Sequence, residues 1–341
     1  MWKLNIDKSF ETEYIDKMLH DLVTRVKTWK GGTSLYKSFR SELLPDWNRD
    51  HPVETDVLEK LLIAKPTEAH ALNEQLMKKL VVGYSEADLT QKILPKKYRR
   101  RLRILACVFD YDGALGDLKS KSYWLAEHIG HNSCTYCNRQ YTFTVSGKNN
   151  GERITRPAFD HWFPKSRFPL LSLNLYNLIP CCAICNSGAK GDKVFQLIEF
   201  VHPYEQKDDD PKFKFVPSIS NKGEWTVVLE RDKVAHPDVD NTIKAFELDR
   251  IYDMHGPLEV KELMEFAQAY SNTYLQQIYN QMKGDLGTAG FSQEEVYRML
   301  FGTESIPSKY LDRPLSKMKH DIMEYLRICL LYTSPSPRDT R

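Results

Sequence analysis

Cys134-Thr135-Tyr136-Cys137 and Cys182-Ala183-Ile184-Cys185 are two C-x2-C turns separated by 44 residues. A structural zinc takes four thiolates at the corners of a tetrahedron. One tight C-x2-C turn presents two of them, and a second turn closes the site. The length between the turns is free, because that chain lies outside the site. The spacing therefore predicts Zn²⁺ held by Cys134, Cys137, Cys182 and Cys185; a lone turn would read as buried or redox-active thiols. Cys181 adjoins Cys182 and leaves the third ligand ambiguous, with Cys182 preferred because it keeps the two-residue spacing. Cys107, inside the apolar run Ile104–Phe109, reads as core. His128 and His131, just before the first turn, read as bystanders to four thiolates.

Between and beside the turns lie Phe159-Asp160-His161-Trp162-Phe163-Pro164-Lys165, then Tyr176-Asn177-Leu178-Ile179-Pro180, then Cys185-Asn186-Ser187-Gly188-Ala189-Lys190. Taken singly, these residues read as turn and cap residues and a core histidine. Taken together, an acid, a histidine, an asparagine before an apolar pair, and an asparagine beside the last thiolate form a specific order.

That order resembles the HNH endonucleases, the ββα-metal nucleases with a zinc-knuckle frame. Their pattern runs C-x-x-C, D-H-x-x-P-K/R, N-L, then C-x-x-C-[HN]-x-x-K. The likeness covers about residues 131–193, under a fifth of the chain. Asn186 stands where the family name has its last histidine, and Lys190 lies one residue beyond the usual lysine spacing. The resemblance implies phosphodiester hydrolysis with one Mg²⁺ (or Mn²⁺) that takes an oxygen each from Asp160 and Asn186. Such an ion prefers few protein oxygens and keeps waters and substrate phosphate. It implies His161 as general base, an imidazole with an ordinary pKa of ~6.5. Asn177 would hold the loop after His161. Lys165, Lys190 and Arg139 would contact nucleic acid, DNA rather than RNA being favoured, with salt-dependent affinity. A wider likeness includes His202-Pro203-Tyr204 and Arg313-Pro314-Leu315-Ser316-Lys317. It is to prokaryotic HNH proteins of the Septu and retron-associated antiviral defence type, and it implies an ABC/SMC-like ATPase partner.

Two other readings compete. Val108-Phe109-Asp110-Tyr111-Asp112-Gly113 is similar to the nucleophile motif of haloacid-dehalogenase-like phosphatases, an apolar strand ending in D-x-D-G, with Asp110 and Asp112 as the acting acids. That chemistry needs alternating strands and helices behind it, and no such pattern follows residue 113. The second is a zinc-knuckle protein that binds nucleic acid without cutting it. Such a protein would keep the cysteines but would be expected to lack Asp160, His161 or Asn186.

The surrounding chain is ordinary in composition. It has 341 residues, 41% of them hydrophobic, and Lys+Arg 48 nearly balance Asp+Glu 46 for a net +2. Those values exclude disordered, collagen-like and coiled-coil classes. No apolar run approaches the ~20 residues of a membrane span. The start is polar and acidic rather than that of a secretory signal, so no membrane and a cytoplasmic location are expected. One dense charge run is Lys96–Arg103, six cations in eight positions, which reads equally as a nucleic-acid contact or as a solvated helix face or salt-bridged turn. Residues 1–125 read as helices, with Ile15, Met18, Leu19, Leu22, Val23 and Val26 at helical spacing. Residues 126–205 hold the nuclease-like core with its four-cysteine zinc site. Residues 206–328 begin with a charged linker and a hairpin turning at Asn221-Lys222-Gly223, and continue as helices. Val260, Leu263, Met264, Ala267, Tyr270, Tyr274 and Ile278 form one stripe there. The last segment, 329–341, resembles a translated sequencing-library adapter and reads as a non-native tail. The expected fold is α+β: a mostly helical chain with a small zinc-stapled ββα core and a C-terminal β-hairpin plus helices.

Overall fold

The computed structural model describes residues 1–28, 34–45, 54–116, 120–147, 152–284 and 290–326. The segment 329–341, with Cys329, lies outside them. The fold is α+β, with helices and, among the described residues, three separate two-stranded antiparallel pairs. No helix among the described residues is long and apolar enough to cross a membrane. The chain forms two compact units, one from residues 4–131 and 142–206, the other from 1–3, 132–141 and the described residues after 206.

The first unit contains α1 (Lys8–Thr28), α2 (Ser34–Leu43), α3 (Asp56–Ile63), α4 (Pro66–Leu80), α5 (Glu86–Thr90), α6 (Lys96–Val108), α7 (Tyr111–Leu115) and α8 (Ser120–Ile129). Its strands are β1 (Val145–Ser146), β2 (Arg153–Thr155), β3 (Ala158–His161) and β4 (Leu178–Cys181). Helix α1 buries Phe10, Tyr14, Met18, Leu22 and Val26, one residue every four, and packs on α3 through that stripe. Helix α6 begins just after Pro95, its N-cap residue, and buries Tyr98, Leu102, Leu105 and Val108. Cys107 is therefore not core but exposed. It lies two positions past Leu105, about 200° around the helix from that buried side chain.

Strands β3 and β4 pair antiparallel, with Asp160 opposite Ile179 and His161 opposite Leu178. After β4 the chain enters a single π-helical segment, Ile184–Lys190, whose wide turn is closed by the Gly191 N–H donating to Asn186 O at 2.9 Å. Strand, strand and helix thus follow one another through the stretch that carries the site residues.

The second unit contains β5 (Lys214–Ile219), β6 (Trp225–Glu230), α9 (Pro237–Ala245), α10 (Leu248–Asp253), α11 (Lys261–Ala269), α12 (Asn272–Gly284), α13 (Gln293–Phe301) and α14 (Ser316–Tyr325). The β5–β6 hairpin turns where expected, with Gly223 at φ +79°, a backbone conformation that costs a residue without Cβ nothing. The stripe read from Val260 to Ile278 does not stay on one face. The helix breaks at Tyr270, whose backbone is extended, so α11 and α12 are separate. Tyr270 and Tyr274 end up exposed, with rings stacked 5.6 Å apart. Helix α13 starts with a capping box, Ser292 Oγ accepting from Glu295 N and Glu295 Oε2 accepting from Ser292 N. Helix α14 holds β5 through Asp321, which accepts from Phe215 N at 2.9 Å.

Candidate functional site

The sulfur atoms of Cys134, Cys137, Cys182 and Cys185 all lie within 4.8 Å of one another, and all four residues are buried. Tetrahedral zinc with Zn–S bonds of ~2.3 Å needs sulfurs roughly 3.8 Å apart, so this cluster fits a structural metal such as zinc. The ambiguity at the third position resolves in favour of Cys182. Cys181 stays outside the cluster, and burial pushes its thiol well above the usual range. The first turn is held by side-chain bonds as well as by its own Cys134–Asn138 backbone bond. Asn138 sits at φ +47°, buried, and its Nδ2 donates to Ser133 Oγ at 2.8 Å and Tyr310 O at 2.7 Å. Leu315 N donates to Asn138 O, Ser133 Oγ donates to Leu311 O, and the Tyr252 hydroxyl donates to Cys137 O. In the second turn the Cys185 amide points at Cys182 Sγ, 3.5 Å away. His128 and His131 take no part in the cluster.

A cleft of about 410 Å³ in the first unit is lined by Tyr111, Asp160, His161, Lys165, Asn186 and Asp192, among others. It gathers the acid, the histidine and the second asparagine of the sequence pattern. Adjacent strand residues point to opposite faces, yet Asp160 and His161, the last two residues of β3, both line this cleft. His161 Nε2 lies 3.0 Å from Ser172 O. A carbonyl only accepts, so Nε2 carries the proton and Nδ1 keeps the lone pair. The Tyr111 ring meets the imidazole edge-on, with centroids 4.4 Å apart. Burial lowers the His161 pKa from 6.5 to about 3. The ordinary value expected from sequence is corrected: a ring shut away from water holds its charged form poorly.

Asn177 is buried and grips the chain after His161 from three sides. Its Oδ1 accepts from Phe163 N at 2.7 Å, and its Nδ2 donates to Phe163 O at 3.1 Å and Leu171 O at 2.9 Å. Lys190 is the second correction. Expected at the nucleic acid, it has a side chain with 0% exposure. Its Nζ donates to Asp160 Oδ1 at 3.1 Å and to His161 O at 2.6 Å. The extra residue between Asn186 and Lys190 falls within the π-helical turn, which takes more residues per revolution than an α-helix. Lys165 lies at the rim, its Nζ 2.8 Å from both carboxylate oxygens of Asp112. Arg139 does not line the cleft.

Sequence reasoning missed Ser172, which acts through a backbone carbonyl and so leaves no residue signature. It also missed Asp192, and it met Tyr111 only inside the phosphatase-like run. That run changes meaning in the fold. The apolar residues before Asp110 are helical, not the strand a phosphatase needs, and Asp110 caps α7 by accepting from Gly113 N at 2.9 Å.

No protein-family model matches the chain, and no solved structure matches it. It is similar to protein ea31 of Escherichia phage lambda, 39% identical over 51 residues, which are 14% of this chain and 17% of that protein.

Proposed function

We propose that the chain is a metal-dependent endonuclease of the HNH kind that hydrolyses phosphodiester bonds in DNA, within a prokaryotic antiviral system. The observation that carries this reading is the convergence of Asp160, His161 and Asn186 on one cleft, in the strand–strand–helix segment that contains the second cysteine turn. One carboxylate and one amide side chain suit Mg²⁺, which prefers few protein oxygens. Asp160 and Asn186 would hold it, and a divalent ion there supplies charge against the phosphate and an acidified water.

The remaining roles belong to the chain itself. His161 accepts the proton of the attacking water at Nδ1, while Ser172 O fixes the other nitrogen. Low basicity keeps the ring neutral, so the lone pair is available at physiological pH. Asn177 keeps the strand end and the following loop in register with that geometry. Lys190 orients the Asp160 carboxylate through its buried ammonium. Lys165 exchanges Asp112 for substrate phosphate. An exposed pair of this sort is worth only ~0–1 kcal/mol, so the exchange costs little.

The test is digestion of supercoiled plasmid, oligonucleotide and tRNA with added magnesium, with and without an ATPase encoded beside the protein. Wild-type chain is expected to cut DNA. His161→Ala is expected to lose about 10²-fold or more in rate while keeping its zinc content and its fold. Cutting at the wild-type rate by that variant would remove the proposed base. A wild-type chain that binds DNA but cuts none of the substrates is the non-cleaving zinc-knuckle protein instead.

A further inference from the structure

We propose that the outer face of α6, carrying Lys96, Arg99, Arg100 and Arg103, is a phosphate-binding track for the nucleic acid presented to the cleft. It deepens the nuclease reading by naming a substrate-binding surface outside the Asp160–Asn186 segment.

The first observation is charge. Between Leu89 and Phe109 the chain has seven cations and no Asp or Glu, although the whole chain carries only +2. The second is geometry. At ~100° per residue, Lys96, Arg99, Arg100 and Arg103 occupy one stripe about 100° wide, and Tyr98, Leu102, Leu105 and Val108 lie on the opposite side. The structure bears out that partition: the apolar four are buried and the cationic four are exposed. The third is pairing. Lys97, off the stripe, is held by Asp88 at 2.7 Å. Among the described residues no ion pair engages Lys96, Arg99, Arg100 or Arg103; Arg99 Nε meets only the Leu94 carbonyl.

A solvated face explains this poorly. Solubility is served by mixed signs. Here the like charges sit at i,i+3 and i,i+4, where they repel. The first turn of α6 contains cations and no acid, against the helix dipole. An arrangement that opposes its own helix is accounted for by a polyanion that relieves it. Three of the four residues are arginines, whose planar fork matches phosphate oxygens. A lipid surface is the poorer partner, because a membrane-lying helix needs its apolar face free, and that of α6 is packed within the unit.

The helix that carries the track also meets the loop that starts at the cleft. Arg167, two residues beyond the cleft-lining Lys165, donates through Nη2 to Gln91 O at 3.2 Å and Lys92 O at 3.3 Å, just ahead of α6. Helix α6 itself packs on residues 169–171 of the same loop. Cys107 falls about 20° from Lys96 around the helix and is exposed, while the other cysteines among the described residues are buried. It offers a reporter on the track.

The experiment uses the 341-residue chain with Cys329→Ser. Binding of a fluorescein-labelled DNA duplex is followed by anisotropy across a salt series without added magnesium. The triple variant Arg99→Gln, Arg100→Gln, Arg103→Gln is expected to bind at least tenfold more weakly. Its log K against log salt slope should flatten by ~0.9 per lost phosphate contact, between two and three in all. The triple Arg→Lys variant should keep most of the slope. Glutamine is a good helix former, and circular dichroism melting confirms that the glutamine variant is folded. A benzophenone attached at Cys107 should crosslink to the duplex. Unchanged affinity and slope in the glutamine variant, no crosslink at Cys107, or binding of phosphatidylserine vesicles but not of the duplex, each overturns the track. His161→Ala should bind and crosslink as wild type does. A chain that binds through this face yet never cuts therefore overturns only the nuclease reading, and a cutting chain indifferent to the three arginines overturns only the track.

Discussion

Among single residues, the buried imidazoles carry a readable pH signature. His202 is packed against Trp162, centroids 4.6 Å apart, and accepts from Tyr204 N through Nδ1 at 3.2 Å. Burial, reinforced by the Lys190 ammonium, holds its pKa well below 6.5. The folded chain refuses a proton that the unfolded chain takes up below about 6.5. Stability is therefore full above that pH and falls as the medium acidifies, by up to ~1.4 kcal/mol per pH unit for each such histidine. His161 adds to the same slope down to about pH 3. Urea unfolding at a series of pH values should show the decline, and His202→Gln should remove about one proton's share of it. An equal slope in the variant would mean that His202 is not held neutral. Comparing variant with wild type also cancels the acid release of any thiolate-bound metal.

Among the secondary-structure elements, the β3–β4 pair is tied off by one side chain. Trp162 N donates to Asn177 O, and the Asn177 amide then binds Phe163 at both its N–H and its C=O. Asn177→Ala leaves these buried groups without partners, at a cost on the order of 1–3 kcal/mol each and less than additive in sum. The variant should unfold at lower urea, and the Phe163 amide should lose hydrogen-exchange protection. Exchange at Phe163 as slow as in wild type would show that the loop does not depend on the amide. The order D-H … N-L was legible as a pattern in sequence. That its asparagine acts as a three-way backbone clamp follows from the turn at 171–177, which brings residues fourteen positions apart into bonding range. The stripe across Val260–Ile278 failed for the complementary reason: periodicity assumes an unbroken helix, and the break at Tyr270 leaves Tyr270 and Tyr274 exposed.

Across the molecule as a whole, the four buried thiols bring together turns 44 residues apart. A structural metal at such a cluster supplies folding free energy directly, because the site does not exist in the unfolded chain. Purified chain should hold one zinc per molecule by elemental analysis. Cys134→Ser together with Cys185→Ser should hold none and melt at markedly lower temperature. An unchanged melt in the double variant would show that the cluster binds no metal that matters to folding.

Residue order alone was enough for what is local. It specified the ligand spacing of the cysteine turns, the hairpin at Gly223 and the capping box at Ser292, each set by neighbours a few residues apart, and the alternation of these signals indicated the α+β class. Folding in three dimensions was needed to leave Cys181 buried outside the cluster, to make Lys190 a buried partner of Asp160, and to set the His161 tautomer through Ser172. These depend on which groups are shut away from water and which distant backbone atoms are within bonding reach, and neither is encoded in the spacing of residues along the chain.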